Sequence, residues 1–186
     1  MKITELQKSN TAKYCTDKFS DHSYGEFYDK LFAGKEDAMI SIMEVGIYEG
    51  GSVKLWRDYL KSTYIAGVDI VDRINIFLPN IPAWLYNMDL WFIDAYSSEC
   101  DIVAKKRGKF DIIIDDGSHL LADQIYAIKN FPSYLKSGGV LVIEDVPEGC
   151  EDEILKNVPT GGTVEVLNLR HIKNRWDDYL IVFKKD

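Results

Sequence analysis

The chain has 186 residues, 46% of them hydrophobic, and a formal net charge of −8. That length suits one domain able to bury its own core without disulfide or metal staples. The acidic balance repels phosphate backbones and so excludes nucleic acid as the first-choice partner.

Residues 1–38 are polar, aromatic and irregular, and read as a cap over the open end of a sheet, with Tyr24–Phe32 predicted helical. After them, short β-branched runs alternate with longer amphipathic stretches. In chain order these are strand Ile40–Val45, helix Gly51–Lys61, strands Tyr64–Asp69 and Ala83–Met88, helix Trp91–Lys105, strand Phe110–Asp115, helix Leu121–Leu135, strand Gly139–Glu144, helix Cys150–Asn157, and strands Thr163–Leu169 and Tyr179–Lys184. Strands alternating with helices imply right-handed βαβ units. The expected fold is therefore α/β, a Rossmann-like doubly wound sheet, mostly parallel. The last two strands lack an obvious intervening helix and are expected to form an antiparallel hairpin with Ile172–Asp177 in the turn. No repeat or linker interrupts the pattern, so residues 1–186 are read as one domain.

No stretch approaches the ~20 apolar residues that span a bilayer. The opening Met1-Lys2-Ile3-Thr4-Glu5 lacks the apolar run of a secretory signal. The three cysteines, Cys15, Cys100 and Cys150, are widely spaced with no close pair, which argues against a disulfide framework or a cysteine zinc site. A soluble cytoplasmic protein with free thiols is expected.

The first strand runs into Glu44-Val45-Gly46-Ile47-Tyr48-Glu49-Gly50-Gly51-Ser52. Glycines there let the backbone turn sharply and approach a ligand. One strand later, Asp69 is spaced to accept hydrogen bonds from both ribose hydroxyls of a nucleoside. A glycine loop alone is common in turns; the preceding strand, following helix and later acid give it context. The spacing is GxxxGG rather than the dinucleotide GxGxxG, and Glu44 would repel a pyrophosphate. A carboxylate there suits a cationic ligand, such as a sulfonium or an amino group.

The fourth strand ends in Asp115-Asp116-Gly117-Ser118-His119 and the fifth in Ile143-Glu144-Asp145. In a doubly wound sheet both ends face one crevice. Asp116, Glu144 and Asp145 offer hard oxygen ligands for a divalent cation, Mg²⁺ or Mn²⁺. Such an ion would bind vicinal oxygens of a substrate and acidify one of them. His119, three residues past Asp116, can take the hydroxyl proton near neutral pH. The plainer reading is that Asp-Gly-Ser is turn chemistry or a helix cap.

Together, Glu44–Ser52, Gly67–Asp69, Phe110–His119 and Val142–Val146 resemble class I S-adenosylmethionine-dependent methyltransferases. More narrowly, they resemble the sugar O-methyltransferases of macrolide and rhamnose modification, of the mycinamicin and demethylmacrocin type. Lys13-Tyr14-Cys15-Thr16-Asp17-Lys18, followed by His22, Tyr24 and Tyr28, is similar to that group's Gly-Thr-Asp-Lys and His-x-Tyr pattern, with Cys15 in place of the glycine. The match runs from about Lys13 to Asp145, with a weaker one at Arg175–Val182. The resemblance implies methyl transfer from S-adenosylmethionine to a sugar hydroxyl, assisted by Mg²⁺. It places Glu44, Gly46, Gly50, Ser52, Asp69, Asp89, Asp115, Thr16 and Lys18 around the cofactor. It places Asp116, Glu144 and Asp145 on the metal, His22 and Tyr24 near the substrate, and His119 as general base beside Asp116. The acceptor is expected to be a small molecule or a glycan, with a second subunit as one way to complete its pocket. Two further readings stay open: an acceptor that is a catechol-like diol, and a non-catalytic domain that binds the cofactor.

Overall fold

A computed structural model describes residues 1–73 and 88–186. The elements are α1 (Ile3–Ser9), α2 (Gly25–Phe32), β1 (Ser41–Val45), α3 (Gly51–Tyr59), β2 (Tyr64–Asp69), β3 (Met88–Phe92), α4 (Asp101–Arg107), β4 (Phe110–Asp115), α5 (Leu121–Asn130), β5 (Leu135–Ile143), α6 (Glu151–Leu155), β6 (Gly162–Asn168), α7 (Arg170–Lys173) and β7 (Tyr179–Lys185). The strands form one sheet in the order β3-β2-β1-β4-β5-β7-β6. From β3 to β5 neighbours pair in parallel; β7 pairs antiparallel with both β5 and β6. The doubly wound, mostly parallel sheet with an antiparallel C-terminal pair is the expected architecture.

Both faces of the central strands are covered, which is why β1 and β4 are nearly continuous apolar runs. Alternation still sorts their side chains. Ile42, Ile65, Ile112, Ile114 and Val142 face a core shared with Ile3, Tyr28, Phe32 and Trp56 of α1–α3. Met43, Val45, Val68 and Ile113 face the other core, with Val103, Ile128 and Ile154 of α4–α6. Full burial of each such side chain contributes about 1.5–3 kcal/mol. In α3, the buried Val53, Trp56 and Tyr59 recur every third residue, the helical spacing that puts them on one face.

Several boundaries differ from expectation. The strand expected over Ala83–Met88 lies, except for Met88, outside the described residues. The helix expected over Trp91–Lys105 is corrected: Trp91 and Phe92 end β3, which pairs residue for residue with Ile65–Asp69. Side-chain turns then delay the helix, with Asp94 Oδ1 accepting from the Tyr96 N–H at 2.9 Å and Ser97 Oγ from the Glu99 N–H at 3.1 Å. α5 stops at Asn130 because Pro132 follows, and Leu135 already pairs in β5. The cap contains a helix not expected from its pattern, α1, fastened to α2 by the Thr4 hydroxyl donating to Asp29 at 2.8 Å. The β6–β7 connection holds one turn of helix, α7.

Candidate active site

Beyond the carboxyl ends of β1 and β4, where the chain winds off in opposite directions, doubly wound sheets hold their ligands. Here β1 ends at Val45 and the backbone turns through Gly46 at φ 80°. A Cβ on Gly46 would stand 1.9 Å from the Asp116 carbonyl oxygen. Only glycine lets the β1–α3 loop lie against the Asp116–Gly117 backbone. Asp69, closing β2, ties this loop down: Oδ2 accepts the backbone N–H of Ile47 at 3.0 Å and of Tyr48 at 2.9 Å. Gly50, at φ 78°, caps the start of α3.

A cavity of about 720 Å³ opens over this loop. Of the expected cofactor residues, Thr16, Gly46, Ser52 and Asp69 line it, and so do Asp116 and His119. Asp94, Ala95 and Tyr96 also line it; sequence reasoning missed them by running a helix through that segment. The signal was present in Leu90-Trp91-Phe92-Ile93-Asp94, an apolar run ending in an acid as β2 and β4 do.

Other expected residues lie behind the wall. Glu44 is fully buried, with its Oε2 accepting the Trp56 indole N–H at 2.7 Å. Asp89 faces Tyr64 and Arg107 within β3 rather than the cavity. Asp115 is buried and accepts the Tyr96 hydroxyl at 2.7 Å. Lys18 is buried, and its ammonium donates to Asp116 Oδ2 and Glu144 Oε2, each at 2.5 Å.

The acids at the ends of β4 and β5 converge. His119 Nε2 lies 3.2 Å from Asp116 Oδ1 and its Nδ1 lies 3.6 Å from Asp145 Oδ2. Ligand atoms of Asp116, His119 and Asp145 fall within 4.8 Å of one another. His119 and Asp145 both adopt left-handed backbone, φ 56° and 53°, a conformation that bulky residues avoid unless the surroundings impose it. Glu144 points the other way, accepting from Lys18 and the Tyr28 hydroxyl. His22 and Tyr24, expected near the substrate, are buried behind Asp145: the Tyr24 hydroxyl donates to Asp145 Oδ1 at 2.5 Å, and His22 Nδ1 lies 3.2 Å from the same oxygen and 2.8 Å from Asp178 Oδ1.

Charge follows from these contacts. Burial pushes the Asp116 carboxyl up, but the Lys18 ammonium and His119 outweigh it and hold Asp116 below its ordinary value. Burial pulls His119 down, yet its hydrogen bond to Asp116 and the charge of Asp145 raise it to about 9. Burial, helped by the charge of Asp116, pushes Asp115 up to about 7, against the Tyr96 hydrogen bond and the charge of His119.

The structure aligns over 100% of this chain with 54% of the MycE methyltransferase from the mycinamycin biosynthetic pathway, solved in complex with Mg and SAH, at a TM-score of 0.76 and 22% identity. The fold is that of the class I methyltransferases. Among curated proteins, this methyltransferase-fold chain is 28% identical over 141 residues, 72% of its own length, to the 8-demethyl-8-alpha-L-rhamnosyl tetracenomycin-C 2'-O-methyltransferase of Streptomyces olivaceus, of which 36% is covered. It is 32% identical over 143 residues, 73% of its length, to the 8-demethyl-8-(2-methoxy-alpha-L-rhamnosyl)-tetracenomycin-C 3'-O-methyltransferase of the same organism, of which 35% is covered. The chain thus spans little more than a third of the curated relatives it matches. No family model matches it. Among the described residues, no helix is long and apolar enough to cross a membrane.

Proposed function

We propose that this chain is an S-adenosylmethionine-dependent O-methyltransferase acting on a sugar hydroxyl of a small molecule or glycan, with a divalent cation at Asp116 and Asp145. One observation carries the reading: a single cavity is lined by Gly46 and Ser52 of the first loop, by Asp69 closing β2, and by Asp116 and His119 beyond β4. The relatives named above, which act on rhamnosyl groups, support the sugar acceptor.

The residues fit the cofactor. Asp69 reaches the cavity from the end of β2, where a carboxylate accepts from ribose hydroxyls. Gly46 lets the loop close against the Asp116–Gly117 backbone, and Asp94 and Tyr96 line the same cavity. They also fit Mg²⁺, which takes one or two carboxylates and keeps its remaining positions for water and substrate oxygens. When bound, the cofactor supplies an activated methyl group and the ion acidifies a coordinated hydroxyl.

The chain's own work is alignment and proton handling. His119, on the cavity wall, is the group placed to hold the acceptor's hydroxyl proton. While Asp116 and Asp145 are bare, that imidazole stays protonated to about pH 9. Its action as base therefore requires those carboxylates to be neutralised. Tyr24 and His22 fix the Asp145 carboxylate from behind, and so act as positioning residues. The same reading takes residues 1–186 as one catalytic domain, residues 1–38 as its cap, the cytoplasm as its location and a second copy as the means of enclosing the acceptor.

Calorimetric titration with S-adenosylhomocysteine, in Mg²⁺ and then in EDTA, tests the first half. Saturable binding in both conditions is expected. Transfer of labelled methyl to L-rhamnosides rather than catechols tests the second. Absence of S-adenosylhomocysteine binding in either condition overturns the reading.

A further inference from the structure

Lys18 comes from the N-terminal segment, yet its ammonium ends inside the carboxylate cluster. The side chain is 1% exposed, and Nζ stands 2.5 Å from Asp116 Oδ2, 2.5 Å from Glu144 Oε2 and 3.5 Å from Glu44 Oε1. Glu44 belongs to β1, Asp116 follows β4 and Glu144 follows β5, so one cation joins the carboxyl ends of three parallel strands. A buried ammonium persists only where carboxylates compensate its lost hydration.

The two nearest acids are not equivalent. Asp116 divides its oxygens, Oδ2 to Lys18 and Oδ1 toward His119 at the cavity. Glu144 does not: Oε2 accepts from Lys18, Oε1 from the Tyr28 hydroxyl, and the side chain is 1% exposed. A metal that took Glu144 together with Asp116 would meet the Lys18 ammonium already between them.

We propose that Lys18 is a tethered cation standing where a metal ion would bridge Asp116 and Glu144, so that Glu144 serves Lys18 and the divalent cation is held from Asp116 and Asp145. The inference rests on the metal-assisted reading above and assigns Lys18 to the site's charge balance rather than to the cofactor. Removing the ammonium leaves Asp116 and Glu144 facing each other bare, which is itself a strong site for a divalent cation.

Mn²⁺ binding to the purified chain, read from the free-ion electron paramagnetic resonance signal, tests this. Glu144→Gln leaves its amide oxygen to accept from Lys18 and turns its N–H₂ to donate to the Tyr28 hydroxyl, and is expected to hold Mn²⁺ affinity to within about threefold, since Glu144 is not a ligand. Lys18→Met is expected to tighten Mn²⁺ binding about tenfold or more by freeing Glu144 as an added ligand. The double variant Lys18→Met/Glu144→Gln loses that gain, and Lys18→Arg, which keeps the charge, does not show it. Binding seen only in Lys18→Met overturns the proposal, because a cation held from Asp116 and Asp145 binds the unaltered chain as well. A loss of about tenfold or more in Glu144→Gln, the usual size for a disturbed metal site, overturns it, as does weaker binding in Lys18→Met or none in any variant. If Lys18→Met fails to fold, Glu144→Gln decides alone. S-adenosylhomocysteine calorimetry on the same samples judges the methyltransferase reading separately, because Lys18 lies off the cavity.

Discussion

His119 Nε2 lies 3.2 Å from the Oδ1 of Asp116, three residues earlier on the same loop. With Asp145 on its other nitrogen, the ring is held charged, and its value rises from 6.5 to about 9. The folded protein therefore binds this proton more tightly than the unfolded chain does. The resulting stability is fully present below pH 6.5 and is lost as pH rises through about 9. In EDTA, the stability advantage of wild type over His119→Asn is expected to shrink across that window, as read by thermal unfolding. Nuclear magnetic resonance of the imidazole should show a midpoint near 9 that falls when Mg²⁺ is added. A midpoint below 7 in EDTA contradicts the charge arrangement.

His119→Ala and Asp116→Ala should each cut methyl transfer sharply, about a hundredfold for loss of a general base, while leaving S-adenosylhomocysteine affinity nearly intact. Neither side chain takes part in the Asp69 contacts that hold the glycine loop, which run to the backbone of Ile47 and Tyr48. Equal loss of cofactor affinity in the two variants would show that these residues hold the cofactor instead.

Asp69 is expected to behave in the opposite way. Its Oδ2 already accepts from Ile47 and Tyr48, so it shapes the loop as well as facing the ligand. Asp69→Ala should weaken S-adenosylhomocysteine binding by about 1.5–3 kcal/mol, the worth of a hydrogen bond to a charged group. That corresponds to about tenfold to a hundredfold in calorimetric affinity. Unchanged affinity would remove Asp69 from the cofactor site.

Gly46 and Gly34 separate two costs of replacing glycine. Both have positive φ, 80° and 73°, but a Cβ at Gly34 meets nothing within 4 Å, whereas at Gly46 it meets the Asp116 carbonyl oxygen at 1.9 Å. Gly34→Ala should cost about 1–2 kcal/mol, the left-handed backbone penalty. Gly46→Ala should cost clearly more and lose S-adenosylhomocysteine binding, because the loop must leave the Asp116–Gly117 backbone. Equal unfolding midpoints in urea would refute the close approach.

The sheet was legible where both faces of a strand are buried. Ile40–Val45 and Phe110–Asp115 are near-continuous apolar runs and became β1 and β4 within a residue. β3 was misplaced because Met88–Phe92 carries no periodicity of its own; its register comes from pairing with β2. Asp116 and His119 at the cavity, with Asp145 beside them, could be read from the strand ends, since strand order alone brings those ends together, whereas Glu144 turns away to Lys18 and Tyr28. The burial of Lys18 and His22 behind the cavity wall could not be read, for a different reason. Their partners lie 98, 126 and 156 residues away, and nothing local marks a lysine in a polar segment as buried. Their placement depends on how the cap docks.

Asp115 provides a last test of how the cavity wall is held. Its Oδ1 accepts the Tyr96 hydroxyl, and its Oδ2 is buried with no hydrogen-bond partner among the described residues. Burial lifts the carboxyl from 3.8 to about 7. Because the folded state holds this proton more tightly, stability falls as pH rises from 3.8 toward 7 and the loss is complete above that. Asp115→Asn cannot ionise and removes the slope, but it leaves a buried amide N–H₂ unpaired at a pH-independent cost of about 1–3 kcal/mol. The variant should thus be less stable than wild type at pH 4 and should recover ground steadily up to pH 8, as measured by urea unfolding. Parallel profiles would mean that Asp115 is ionised throughout. The Tyr96 ring, which lines the cavity, would then be anchored by a charge rather than by a shared proton.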